Sequence, residues 1–543
     1  RGPSHARLVS VGAWLPRSNV YRIFLPLLLG LAPAAWPAPE TQPATPATQP
    51  ADAVRKLILQ LDDDDPLVRE RASLQVNNLD GSALGVVEAA LASSEAGPEA
   101  ASRLRVAVKY IRPRAAAAQD RRARAAWEAR TLHDAYQKFG RTDPAYDADV
   151  HQAIDLFLKL GHDPLHGPAA PREAALSAFG TAAAKGCKDP LVLCLAGATD
   201  GRTNQQAWGP ARGPGNQAAT DMAAGPYPPE AKLLVCVAHL WSTGWPAPGE
   251  RLSPSRLLPD VLKQDLPPGE LDLMLNSFYE AVIKGGEAGP QIHALLKVYR
   301  DARPDAPGPM VLEARDLIDA GLDPRNPSGL TTDGPDRMTA AGKLLERAWS
   351  IAPSDAGPAT QMLVVLMNLQ SDDDQFEQWF DRAMRANPDN YAACLMKLRY
   401  LDPGRHGLHG SGEQMVRFGK WCLATKNWRG RLPFILIQAH EHAAEISADR
   451  AAYYQQPEVW EDGRDVYVGA LLNEPDAVAV SSRRSEYAKW AATCGRWDEA
   501  VKLFDALGDH PDLRPFVSRE TFDYYRQKAR RLAGPAPQTQ DSQ

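Results

Sequence analysis

The stretches LERAWSIAPSDA, residues 345–356, and FDRAMRANPDNY, residues 380–391, superimpose at an offset of 35 residues. Arg347 matches Arg382, Ala348 matches Ala383 and Pro353 matches Pro388. Ala341 and Leu345 upstream stand where Phe376 and Phe380 stand in the second copy. Apolar residues three and four apart turn one side of a helix toward a core. Small residues among them let a second helix approach, and the proline closes the turn before the next helix. A helix pair of this size cannot bury its own apolar face, so it stacks on neighbours. The pattern predicts an all-α fold, a helical-repeat array of the α-solenoid kind.

A third copy, YAKWAATCGRWDEAVKLFDALGDHPD at 487–512, carries Ala488, Gly495, Trp497, Ala500 and Phe504 in matching places. Leu507 replaces an expected alanine, and Pro511 comes one residue early. Across residues 336–534 this period and residue pattern resemble tetratricopeptide repeats, with an inserted segment at 401–447. The resemblance implies that Trp497 is a core residue of the last pair. The insertion, with YLDPGRHGLHGSGEQMVRF followed by LPFILIQAHEHAAE, is similar to a domain of unknown function from bacterial repeat proteins, which implies no activity. Nearer the N-terminus, VRKLILQLDDDDPLVRERASLQVNNLDGSALGVVEAAL places Leu57, Leu61, Val68, Ala72, Leu79, Leu84 and Val87 at helical spacings. Residues 52–114 resemble HEAT-type repeats. The Asp62–Asp65 run lacks the alternation, the glycine and the distal glutamate of a calcium loop and is read as a helix entry. Residues 115–335 read as helical, with a Gly/Pro-rich covering or hinge loop at 197–229.

A chain of 543 residues is too long for one core. Its net charge of −6 hides a basic stripe from Arg103 to Arg130, with nine Lys and Arg against Asp120 and Glu128. The stripe could attract nucleic acid or an anionic envelope polymer, but on an acidic chain with an export pattern it is read as the solvated face of a connecting helix; Tyr110 and Trp127 are too few for a base-stacking platform, and no nucleic-acid partner is expected. IFLPLLLGLAPAA, residues 23–35, follows Arg17 and Arg22 and precedes small residues, the pattern of an export signal spanning 1–38. A Pro/Ala/Thr linker follows at 39–51, and 535–543 reads as a disordered tail. The expected location is periplasm or cell envelope, with no integral membrane segment after signal cleavage. Six cysteines without CxxC spacing are expected to be buried free thiols.

In ILIQAHEHAAEISAD, residues 435–449, His440 and Glu441 are followed at zincin spacing by Ala444, so no such metal pair forms. His442 and Glu445 share a helical face, and with His406 and His409 they would supply the ligands of a metal-dependent hydrolase. The competing reading makes His440 a core-edge histidine and leaves the glutamates solvated. Phosphate-binding loops, dinucleotide fingerprints and nucleophile elbows are absent, no cofactor is implied, and no catalytic residue is assigned. The expected function is a non-enzymatic scaffold for a protein or peptide partner. Its candidate groove draws Asn368, Tyr391, Lys397, Arg399, Tyr487 and Lys489 from the first helices of successive pairs, where basic and aromatic side chains suit an acidic extended peptide.

Overall fold

The computed structural model describes residues 51–93, 96–160, 169–200, 214–243, 254–264, 266, 269–272, 274–275, 279, 290–323, 329–403, 410–473, 477–509 and 511–533. The expected export signal, nearly all of the expected linker, and the expected tail lie outside these residues.

Helix formation follows the punctuation of the sequence. Pro66, Pro98, Pro190, Pro229, Pro307 and Pro457 each open a helix, where the missing N–H costs nothing. The first helices are α1 (Ala51–Leu59), α2 (Pro66–Asn77), α3 (Leu84–Ala92) and the long α4 (Pro98–Phe139). Asp65 accepts from Leu67 N at 2.8 Å and caps α2, while Asp62 accepts from Gly97 N and Ala100 N at 2.8 and 3.0 Å and caps α4. The acidic run is thus a pair of helix caps. Leu61, Ala72, Leu79 and Val87 are buried as expected, with Leu57 and Leu84 at the edge of the same cluster.

The middle of the chain comprises α5 (Asp147–Leu158), α6 (Ala169–Ala184), α7 (Pro190–Thr199), α8 (Pro214–Ala224), α9 (Pro229–Thr243), α10 (Pro254–Val261) and α11 (Pro290–Ala302). The expected loop at 197–229 contains α8, because Gln217–Ala224 supplies Ala218, Ala219 and Met222 to the core and burial outweighs the local breakers. The basic stripe lies on α4, which runs unbroken through the proposed boundary at 114. Its first half packs in the N-terminal core through Leu104 and Ile111, and its second half packs in the next through Trp127, Leu132 and Tyr136.

Next come α12 (Pro307–Gly321), α13 (Gly334–Ile351), α14 (Ala356–Asn368), α15 (Asp373–Ala386), α16 (Tyr391–Tyr400), α17 (Gly412–Ala424) and α18 (Ile435–Ile446). Helix ends recur with the sequence: α13 ends at Ile351 and α15 at Ala386, while α14 begins at Ala356 and α16 at Tyr391. Asp355 caps Gly357 N at 2.8 Å, and Asn390 caps Ala393 N at 3.0 Å. The matched pairs Ala341 and Phe376, Leu345 and Phe380, and Ala348 and Ala383 are all buried. The inserted segment supplies α17 and α18 to this same packing. The last helices are α19 (Arg450–Gln455), α20 (Pro457–Asn473), α21 (Ala477–Thr493), α22 (Trp497–Leu507) and α23 (Arg519–Leu532).

Four apolar cores follow one another along the chain, and adjacent cores share a helix. On α18, Ile435 and Ala439 face one core while Leu436 and Ile437 face the next. All six cysteines are buried free thiols. Among the described residues no β-strand forms, and no helix is long and apolar enough to cross a membrane. Trp497 departs from expectation. It is half-buried at the start of α22 with Lys528 Nζ 5.3 Å from its ring centroid, and the deep positions of the last pair belong to Ala500 and Phe504.

Candidate functional site

Of the six candidate groove residues, Arg399 and Tyr487 are buried and the other four are half-buried. Asn368, the last residue of α14, turns its side-chain amide back onto Val364 O at 2.8 Å. Lys397 Nζ pairs with Glu377 at 2.6 Å and sits 4.4 Å from the Phe380 ring centroid, so its charge is already engaged. Arg399 is buried near the end of α16. Tyr487 is stacked between Trp460 and Tyr467 at ring distances of 5.9 and 5.4 Å, and burial pushes its phenol up to about 12. Lys489 Nζ donates to Pro515 O at 2.6 Å. Tyr391 and Lys489 do share a neighbour, Glu441, whose carboxyl is raised by burial and pulled down by His442 and Lys489.

The histidines diverge. His440 is buried, with Nδ1 2.8 Å from Tyr453 Oη and Nε2 3.1 Å from Asp462 Oδ2. His442, two residues on, faces away and meets Asp402 Oδ2 through Nδ1 at 3.2 Å. Glu445 is exposed, and His406 and His409 lie outside the described residues. Among the described residues no three His, Cys, Asp or Glu side chains are grouped to hold a metal ion. Both nitrogens of His440 are thus engaged within the protein. Burial raises the Asp462 carboxyl, but hydrogen bonds from His440 and Lys420 bring it below the usual carboxylate range.

Arg431, in the turn between α17 and α18, is half-buried. The turn is built by Asn427, whose Oδ1 accepts from Gly430 N at 2.9 Å, and it holds Arg431 at φ 56°, in the left-handed region. A non-glycine residue there carries backbone strain of the kind found at binding sites. The Arg431 guanidinium lies 5.6 Å from the Tyr391 ring centroid and 5.8 Å from that of Phe434. Arg483 covers the Phe434 ring at 4.4 Å and is neutralised by Glu486 at 2.9 Å. Arg431 has no such partner. Among the described residues it makes no ion pair, and its buried Nε has no hydrogen-bond partner. Burial, then repulsion from Arg483, lower its pKa, while Tyr391 and Glu486 oppose that shift. A guanidinium does not shed its proton at neutral pH, so the charge stays in this half-buried place.

Arg431 and Arg483 escape a sequence reading because they lie 52 residues apart and neither repeat position marks them. The only local signal is Gly430-Arg431-Leu432-Pro433 before an apolar helix, a turn without stated chemistry. No family model matches the chain, and a search of curated proteins finds no match.

Proposed function

We propose that the chain is a non-enzymatic helical-repeat scaffold, exported to the cell envelope, that binds an acidic segment of a protein partner beneath Arg431. The observation that carries the reading is the half-buried guanidinium without a counter-ion, held by a strained turn over Tyr391 and Phe434. A carboxylate from the partner supplies the missing charge by accepting from the terminal Nη groups, and an arginine–carboxylate pair in a partly dry setting is a strong, directional contact. Tyr391 gives the peptide backbone an aromatic floor, while Glu486 and Glu441 bias the groove toward one acid at the Arg431 position. The 35-residue recurrence and its resemblance to tetratricopeptide repeats support a scaffold, since stacked helix pairs offer concave surfaces to extended peptides.

The test is fluorescence anisotropy with a labelled dodecapeptide of alternating Glu and Ala, compared with its Gln counterpart. The acidic peptide should bind and the neutral one should not, and Arg431→Gln should weaken binding at least tenfold while Lys397→Gln changes it little. Equal binding of the two peptides would sink the reading. Export is checked separately by the mass of the native protein, expected to begin between Ala34 and Pro39; an intact segment 20–34 would remove the envelope from the proposal.

A further inference from the structure

His133 on α4 and His151 on α5 face each other across the seam between those helices. Their Nδ1 atoms are 2.7 Å apart, and their rings lie 4.9 Å apart at 33°. One turn beyond His151, Asp155 Oδ1 receives His133 Nε2 at 2.8 Å. The seam is fixed by Leu132, Ala135 and Tyr136 on one side and Val150, Ala153 and Ile154 on the other, all buried in one core. The pair itself is reachable from solvent, with the His133 side chain 25% exposed and His151 half-buried.

The protons can be placed by chemistry. A neutral His133 that donates Nε2–H to Asp155 has a bare Nδ1, so the short contact is His151 Nδ1–H donating to His133 Nδ1. Burial, then the adjacent His133, hold His151 below the ordinary imidazole range, while Asp147 and Asp155 pull the other way. Asp147 is occupied on Oδ1 by Tyr136 Oη at 2.6 Å and Asp143 N at 2.8 Å, and it adds negative charge beside the pair. Two imidazole nitrogens thus face each other almost head-on, the ring centroids 4.9 Å apart across the 2.7 Å contact, and one ring is oriented by a carboxylate behind it. This is the second-shell arrangement that accompanies histidine ligands of metal ions.

We propose that His133 and His151 form a two-imidazole site for a divalent transition-metal ion, with both Nδ1 atoms as ligands, Asp155 as the outer carboxylate and water completing the shell. A metal–nitrogen bond of roughly 2.0–2.1 Å, with a right angle at the ion, places two ligand nitrogens about 3 Å apart and the ion to one side of the line joining them, so the pair opens slightly and each ring tilts by about 25° from its head-on aim. On binding, the His151 proton moves from Nδ1 to Nε2 through solvent. Each freed lone pair goes to the metal, no electron is transferred and no net proton is lost from the neutral pair. Imidazole donors with open positions favour Cu2+ over Ni2+ and Zn2+.

The experiment titrates the full chain with CuCl2, following heat of binding and the electron paramagnetic resonance spectrum of the first equivalent. One tight equivalent with coupling to two imidazole nitrogens is expected. His133→Ala and His151→Ala should each weaken it at least tenfold, Asp155→Asn about tenfold, and His442→Ala not at all. Thermal melts without metal confirm that each variant is folded. If the substituted side chain loosens the seam, His151→Gln supplies the same loss of ligand with the volume kept. An unchanged first equivalent in the folded His133→Ala, His151→Ala double variant overturns the assignment, as does a spectrum with one nitrogen or none.

Discussion

Arg114 and Asp389, 275 residues apart in sequence, form a buried ion pair that fastens the N-terminal helices to the turn between α15 and α16. Arg114 Nη2 lies 2.8 Å from Asp389 Oδ1, and Nε is shared between both carboxylate oxygens at 3.1 and 3.2 Å. The same guanidinium donates through Nη1 to Asn77 O and Leu79 O at 2.5 and 3.1 Å, closing the carbonyl end of α2. Asn427 Nδ2 supplies Asp389 with a further bond at 2.8 Å. Arg114→Ala leaves a part-buried carboxylate with Asn427 as its remaining side-chain donor and two carbonyls without Arg114, and it should cost about 3 kcal/mol in urea unfolding. A double-mutant cycle with Asp389→Asn should show strong coupling, and additive effects would mean that the two side chains act separately.

Acid should release this contact. Burial raises the Asp389 carboxyl, but the Arg114 charge and the bonds from Arg114 and Asn427 outweigh it and hold the group below the usual carboxylate range. With the folded pKa depressed, the stabilisation is fully present above the unfolded value of about 3.9 and is lost as pH falls through the folded value. Unfolding free energy measured from pH 6 to pH 2 should therefore drop most steeply below about pH 4. In Asp389→Asn that drop should be shallower, and an unaltered slope would assign the acid sensitivity to other carboxylates.

His440 should behave as a structural residue. Its loss strands Tyr453 and leaves Asp462 with Lys420 as its remaining ionic neighbour, at 3.2 Å. His440→Ala is expected to lower stability by about 2–3 kcal/mol, with a smaller effect, about 1 kcal/mol, for His442→Ala. Denaturation curves decide this, and the reverse order would contradict the burial of the two rings.

The last helix pair offers a comparison of two aromatic residues. Phe504 is fully buried, with Phe516 and Phe522 at ring distances of 5.9 and 5.4 Å, whereas Trp497 keeps one side toward solvent. Phe504→Ala should cost about 3–5 kcal/mol and Trp497→Ala clearly less, because little cavity forms at a half-open site. Thermal melts that rank tryptophan above phenylalanine would restore the repeat-based expectation.

That pair also shows what a sequence can reveal. Helix ends at Ile351 and Ala386, and starts at Ala356 and Tyr391, were legible because prolines, caps and small residues act locally and recur with the period. The surroundings of the candidate groove residues were not legible to the same degree. Periodicity places Tyr487 and Lys397 on helices, but it does not say that Trp460 and Tyr467 cover one or that Glu377 neutralises the other. Arg431 was missed because its importance depends on a left-handed backbone and on a second arginine from another helix. Nor does any local pattern join Arg114 to Asp389, since that contact exists only once the intervening helices have turned the chain back on itself.

That return has a mechanical consequence. In an open stack each helix pair touches only its neighbours, so such arrays flex like springs and fray from their ends. Helix α4, about 63 Å long at 1.5 Å per residue, is here anchored at Arg114, and Asn78 Nδ2 reaches Thr425 O at 2.9 Å beside it. Close by, Gly430 approaches Asp389, the partner of Arg114, so closely that an added Cβ would lie 2.8 Å from its Cα. Arg431 is the next residue. If the proposed acidic segment binds there, the ties from Arg114 and Asn78 limit how far the surface beneath that arginine opens.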